Sequence, residues 1–276
     1  MPTNLDQIVA RTRAVTEDRK KSANMRALEA AAERHKPRGF RTKLVETSAR
    51  GPAIVAELKK ASPSRGLIRE EFNVPDLARQ LQDCGATALS VLTDEEHFQG
   101  SLDYLRIAAS VTSIPCLRKD FIVDEFQVLE ARAHCADAIL LIVAALEDHE
   151  LRVLHSAARR MALDVLCEVH DHKELARALD QGFDMVGVNN RDLRTFNVNL
   201  ETAFRLAANI PESVVRVVES GIHTGSQMRD LREAGYHAFL IGESLMKEPY
   251  PGPALKKMIA EEARAQEAAA MPKRPA

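Results

Sequence analysis

The chain has 276 residues, of which 45% are hydrophobic, 28% charged and only 4% aromatic with no Trp, the ordinary mixture of a folded globular protein. Lys and Arg total 38 against 40 for Asp and Glu, a formal net charge of -2 that gives no overall pull toward nucleic acid or an anionic membrane. A fibre is excluded, as is a transmembrane helix of about 18 to 20 uncharged residues; two domains, or one α/β barrel of about 250 residues, remain.

From the amino terminus, MPTNLDQIV carries charge too early for a secretory leader, so a cytoplasmic location is expected. Leu5, Ile8, Val9 and Val15 recur at helical spacing, with Thr3 or Asn4 as the candidate cap. A second helix is expected over Asn24–His35, with Met25, Leu28 and Ala32 on one side and Pro37 and Gly39 ending it. After Pro52, short apolar runs alternate with longer amphipathic segments. The runs are Ala53–Leu58, Ala88–Leu92, Pro115–Leu117, Ala138–Ile142, Asp164–Glu168, Met185–Val188, Val214–Val218 and Ala238–Ile241. Helix candidates between them include Val74–Cys84, Leu102–Ser110, Glu125–His134, Asp148–Met161, His172–Asp180, Leu200–Asn209 and Ser226–Glu233. Eight such repeats predict parallel strands covered by helices. The count favours closure into a TIM barrel over an open sheet, and no G-x-G-x-x-G follows the first strand. The last segment, AEEARAQEAAAMPKRPA, reads as a surface helix running into a polar tail. The expectation is a single α/β fold: a (β/α)8 TIM barrel over 53–258, an N-terminal helical extension over 1–52, and a polar C-terminal helix and tail over 259–276.

In such a barrel the carboxyl ends of all strands face one side. AELKKASPSRG sets Glu57 and Lys59 two residues apart, on the same side of an extended chain. LRKDF brings Lys119 and Asp120, VLCEVHD brings Glu168, VGVNNRDL brings Asn189 and Arg191, and VVESGI brings Glu219 and Ser220. One charge at a strand end marks only an exit from the core; five on one face predict a site. Gly221 and Gly242 stand after strands seven and eight, where barrels often cradle phosphate with backbone N–H groups. A carboxylate facing phosphate would repel it, so the Glu243 side chain is expected to turn away. Leu92, Leu140, Val143 and Leu240 are expected as barrel packing, and Cys84, Cys116, Cys135 and Cys167, which form no C-x-x-C pair, mostly as small buried side chains. His170 and His172 alternate in HDH without an anchored third ligand, so they are read as loop or helix-start residues and no metal site is expected.

Seven segments, AELKKASPSRG, TD-x3-F-x-G over 93–100, LRKDFI, CEVHD, GVNNRDL, VVESGI and LIGESLM, resemble in order the signatures of the indole-3-glycerol phosphate synthase family. The match runs from the helical preface to about Leu255. The resemblance implies closure of 1-(2-carboxyphenylamino)-1-deoxyribulose 5-phosphate to indole-3-glycerol phosphate, with loss of carbon dioxide and water and without cofactor. It implies preface helices packed over the catalytic end. Lys119 is then the general acid and Glu168 the principal base, with Glu57, Lys59 and Asn189 completing the catalytic set. Ser62, Phe98, Phe121, Arg191, Glu219 and Ser220 are the implied substrate contacts, the two phenylalanines as walls around the anthranilate ring and Glu219 near the sugar hydroxyls. Lys59, Gly221, Gly242 and the backbone of Glu243 are the implied phosphate contacts. Family members often carry serine directly after the strand-eight glycine, where this chain has Glu243 and then Ser244.

Two other readings stay open. A neighbouring phosphosugar barrel enzyme such as phosphoribosylanthranilate isomerase would share the phosphate loops, although its cysteine–aspartate pattern is not found here. A non-enzymatic barrel would bind a phosphate ligand of this kind without decarboxylating it. The expected partner is the small phosphorylated anthranilate–ribulose substrate, with no nucleic acid and no membrane. A monomer or weak homodimer is expected, and association with other tryptophan-pathway enzymes stays open.

Overall fold

The computed structural model describes residues 4–192 and 195–270. Thr3, one of the two candidate caps, and residues 271–276 of the expected tail lie outside the described residues. Eight strands form a closed barrel: β1 (Ala53–Leu58), β2 (Ala88–Leu92), β3 (Cys116–Lys119), β4 (Ala138–Ile142), β5 (Asp164–Val169), β6 (Met185–Asn189), β7 (Val215–Glu219) and β8 (Ala238–Ile241). Neighbours in sequence are parallel neighbours in space, and β1 closes the ring on β8 from Ala53–Ala238 to Ala56–Ile241. Four strands reach further than their expected runs, β5 by the single apolar Val169. β3 continues to Lys119, β6 to Asn189 and β7 to Glu219, because polar end residues still join the ladder, as in the pairs Leu92–Lys119 and Asn189–Glu219.

Along each strand, successive side chains enter two different cores. Ala53, Val55, Leu117, Leu140, Leu166, Met185, Val217 and Leu240 fill the barrel interior. Ile54, Cys116, Ile139, Cys167, Val186, Val218 and Phe239 pack outward under the helices. Continuing the inward count by twos reaches Glu57 and Lys59 from Val55, Lys119 from Leu117, Glu168 from Leu166, Asn189 from Met185, and Glu219 from Val217. The alternation that builds the core also delivers the charged residues to one mouth.

The extension comprises α1 (Asn4–Ser22), α2 (Met25–Arg34) and α3 (Phe40–Ser48). Asn24 caps α2 by accepting the Ala27 N–H at 3.1 Å. Of the face expected to pack, Ala32 is buried while Met25 remains 39% exposed. Sequence pattern had shown no helix at α3. It starts after Gly39, which sits at φ +71°, and inserts Phe40 and Leu44, both wholly buried, into the amino end of the barrel.

The outer shell is α4 (Val74–Asp83), α5 (Leu102–Val111), α6 (Glu125–Ala133), α7 (Asp148–Arg160), α8 (His172–Asp180), α9 (Glu201–Ala207), α10 (Gly225–Glu233) and α11 (Pro251–Ala270). α11 packs on α4 and α10 and runs unbroken across residue 258, where the boundary between barrel and tail was expected. Leu255 and Met258 are buried, and Glu262, also buried, accepts from Arg232 Nη1 at 2.6 Å. Among the described residues, no helix is long and apolar enough to cross a membrane.

Candidate active site

A cavity of about 220 Å³ lies at the carboxyl end of the barrel. Strand ends contribute Glu57, Lys119, Glu168, Asn189 and Glu219 to its lining. The loops and turns beyond the strands, with the short helices there, contribute Lys59, Ser62, Phe98, Phe121, Arg191, Ser220, Gly221, Gly242 and Glu243. Every residue expected to act on or bind the substrate therefore borders one space, and Leu5 and Ile8 of α1 line it as well. Leu240, expected as packing alone, is 5% exposed and forms part of the wall.

Lys119 is the centre of the charge arrangement. Its Nζ lies 3.0 Å from Glu168 Oε2 and 3.4 Å from Glu219 Oε2. Burial favours the neutral amine, but the carboxylates of Glu168, Glu219 and Glu57 outweigh it and hold the ammonium well above the ordinary lysine range. The two acids are driven apart. Burial pushes Glu168 up, yet Lys119 and His170 overcome it and keep the carboxylate ionised, far below the usual range. Burial also raises Glu219, Lys119 pulls it back, and the neighbouring Glu168 and Glu57 push it up to about 8. Glu57 pairs with Lys59 and takes a 3.4 Å hydrogen bond from Ser90. One ionised and one protonated carboxyl beside a lysine can divide the duties of base and acid.

At the other end of the cavity, Ser220 and Gly221 both adopt left-handed backbone, at φ +64° and +81°. A Cβ on Gly221 would overlap Val198, and one on Gly242 would overlap the Glu57 carboxylate, so both chains approach their neighbours as only glycine permits. Glu243 does not turn away as expected. Its carboxylate lies among Arg65 at 3.1 Å, Arg191 at 3.4 Å and Lys247 at 2.6 Å, and these cations, against the opposing effect of burial, lower its pKa. Repulsion of an anion is relieved by pairing rather than by direction. The Ser244 hydroxyl is committed to the Ile222 carbonyl at 3.0 Å.

Gly187 and Arg118 were not found by motif. Gly187, midway along β6, faces Glu219, and any side chain there would overlap its Oε1; a glycine inside an apolar strand is the signal that could have revealed it. Arg118 points outward from β3 and is wholly buried, donating to Asp120 Oδ2 at 2.8 Å and Glu130 Oε2 at 3.0 Å. Asp120 also takes the Thr93 hydroxyl at 2.6 Å and is absent from the main cavity lining. His170 sits behind Glu168 and contacts it. Among the described residues, no group of three or more His, Cys, Asp or Glu is arranged to hold a metal ion.

Comparison with known proteins agrees with this geometry. The profile of the family described as "Indole-3-glycerol phosphate synthase" matches residues 5–258. The indole-3-glycerol phosphate synthase of Koribacter versatilis (strain Ellin345) is 54% identical over 259 residues, covering 94% of this chain and 100% of that protein. That of Acidithiobacillus ferrooxidans (strain ATCC 53993 / BNL-5-31) is 46% identical over 257 residues, covering 92% and 98%. Among solved structures, a thiamine phosphate pyrophosphorylase from Pyrococcus furiosus aligns with TM-score 0.59 at 15% identity, covering 79% of this chain and 98% of that one. A mandelate oxidase aligns with TM-score 0.61 at 18% identity, covering 79% and 74%; these two likenesses concern the fold alone.

Proposed function

The chain belongs to the indole-3-glycerol phosphate synthase family, and from that premise we propose how its residues share the chemistry. It is a carboxy-lyase of tryptophan biosynthesis that closes 1-(2-carboxyphenylamino)-1-deoxyribulose 5-phosphate to indole-3-glycerol phosphate. The observation that carries the residue assignment is Lys119, held between Glu168 and Glu219 in the cavity lined by Glu57, Lys59, Asn189 and Arg191.

Ring closure begins when the carbon bearing the aromatic carboxylate attacks the ribulose C2 carbonyl. Negative charge develops on that oxygen, and the Lys119 ammonium stabilises it and delivers the proton. Carbon dioxide then leaves. Dehydration removes a proton from the new ring and expels the former carbonyl oxygen as water. Glu168, ionised, takes the proton; the Glu57–Lys59 pair is placed to protonate the departing hydroxyl. Glu219, carrying its own proton, donates a hydrogen bond to a sugar hydroxyl, and Asn189 lies between these groups on β6. Phe98 and Phe121 flank the aromatic ring, and Ser62 borders the same space. Backbone at Gly221, Gly242 and Glu243, with Lys59 and Arg191, receives the phosphate, while Ser220 shapes the left-handed turn before it. Holding ring and phosphate at opposite ends brings the two reacting carbons together.

A stopped-flow assay of indole fluorescence, with product mass as confirmation, tests the assignment: Glu168→Gln is expected to bind substrate and to accumulate no product. Normal turnover in that variant would remove Glu168 from the role of base. We also propose a cytoplasmic enzyme, monomeric or weakly dimeric, with no nucleic-acid or membrane partner. The four unpaired cysteines suit a reducing compartment. Sedimentation and cell fractionation check these two points, and co-purification checks association with other pathway enzymes.

A further inference from the structure

β5 ends Glu168–Val169, and the chain turns at His170 into α8. His170 does not line the substrate cavity. Its ring lies in the adjoining groove behind the strand end, with its side chain only 13% exposed. Nδ1 is hydrogen-bonded to Glu174 Oε2 at 2.9 Å, and Nε2 lies 3.3 Å from Glu168 Oε1, an ion-pair contact without hydrogen-bond geometry. The same Glu174 oxygen accepts the His170 backbone N–H at 2.8 Å, so one carboxylate grips both ring and main chain. Glu174 is itself fixed in the first turn of α8, where its N–H is capped by Asp171 at 2.9 Å. Glu168 thus has a cationic partner at each oxygen, Lys119 at Oε2 from inside the cavity and His170 at Oε1 from outside.

We propose that His170 is a positioning residue for the ring-closure reaction: clamped by Glu174, it holds Glu168 Oε1 from behind and leaves Oε2 to Lys119 and the substrate. The inference rests on the reading of Glu168 as the base. A carboxylate close to each ring nitrogen, one hydrogen-bonded and one in ion-pair contact, favours the imidazolium form. Burial opposes that charge, but Glu168 and Glu174 outweigh it and lift the imidazole pKa to about 10. Other charges face the same groove. Asp6 comes from α1, Asp192 from the loop after β6, Arg205 from α9, and Asp171 and Arg177 from α8 and its cap. Arg177 is tied to Asp148 at 2.7 Å and to the Leu146 carbonyl at 2.7 Å, so it does not substitute for the imidazolium. The second cation matters at one moment. When Lys119 gives its proton to the substrate oxygen, Glu168 loses the charge at Oε2, and His170 is the cation that, with the uncharged Asn189, still favours its orientation and its ionised state.

The test compares His170→Asn, Glu174→Gln and Glu168→Gln with the parent chain in one fluorescence assay across pH 3.5 to 9. His170→Asn removes the charge and keeps a polar side chain, so kcat at pH 6 is expected to fall about tenfold with KM within about twofold, the acid limb moving up by about one pH unit. Glu174→Gln weakens the clamp and moves the same limb in the same direction by less. Parent-like kcat and an unmoved acid limb in both variants, with Glu168→Gln inactive, would overturn the positioning role while leaving the base in place. An active Glu168→Gln would instead overturn the base. A general loss of kcat and substrate affinity with an unmoved limb would mark His170 as structural only and also end the proposal. If His170→Asn does not fold by circular dichroism, Glu174→Gln decides by the same criteria.

Discussion

At the amino end of the barrel, Asp137 is wholly buried and both of its oxygens are answered. Oδ1 takes the Arg38 backbone N–H at 2.7 Å and faces His35 at 3.2 Å; Oδ2 takes the Arg38 guanidinium at 2.6 Å and the Cys116 N–H at 2.6 Å. At the carboxyl end, Glu219 is buried as deeply, but its Oε1 has no hydrogen-bond partner among the described residues and two other carboxylates stand nearby. Burial raises both acids. His35 and Arg38 then bring Asp137 below its ordinary value, whereas Lys119 fails to do so for Glu219 against Glu168 and Glu57. The same chemical group is a latch where it is satisfied and a reagent where it is not.

The largest effect expected from disturbing this contrast is at Lys119. Lys119→Ala should lower kcat by about a thousandfold, the range of a lost general acid, with affinity for a phosphate-bearing product analogue within about threefold, read by single-turnover kinetics and fluorescence titration. At the opposite end, Asp137→Ala leaves Arg38 and the Cys116 N–H unanswered. It should cost about 3 to 5 kcal/mol in denaturant unfolding, with kcat/KM of the folded fraction unchanged within about twofold. Glu219→Gln mimics the protonated acid, so turnover at pH 7 should fall less than about tenfold and unfolding should be no easier than in the parent. An unfolding loss as large as that of Asp137→Ala would break the comparison.

The smallest effect is in pH dependence, and its sign differs between the ends. Glu219 is raised from 4.5 to about 8, so the folded chain binds the extra proton and stability falls as pH rises through that window. Asp137 is lowered from 3.8, so its contribution is present above that value and is lost as pH falls through its folded value. Thermal unfolding followed from pH 3 to 9 should show both slopes, and Glu219→Gln should flatten the first while leaving the second.

Much of the site was legible because a strand has period two. Once Val55, Leu117, Leu166 and Val217 are taken as interior, Glu57, Lys119, Glu168 and Glu219 must share that side, whatever the barrel's detailed register. What escaped depends on neighbours far away in sequence. Arg118 stands beside Lys119 and looks equally polar, yet it faces the opposite way into a pocket made by Glu130 of α6, Thr93 and Asp120. Its role cannot be read from LRKDF alone. Gly187 acquires meaning only from Glu219 on the next strand. α3 is short and buries just Phe40 and Leu44, too few apolar residues to mark a helical stripe. The family resemblance supplied roles for Glu57, Lys119, Glu168 and Glu219, while the alternation supplied their convergence.

The plug formed by α3 has a consequence for the order in which the molecule can be made. Phe40 and Leu44 belong to the interior cluster that also holds Ala238 and Leu240 of the last strand, and the extension's polar anchors lie far downstream: Arg38 meets Asp137 across 99 residues, and Arg41 donates its N–H to Asp164 across 123. During synthesis at about 5 to 20 residues per second, α3 leaves the ribosome roughly 5 to 20 s before Asp137 does. The residues that seal the bottom of the barrel are thus synthesised before any barrel strand, and their cluster is complete only when the final strand arrives.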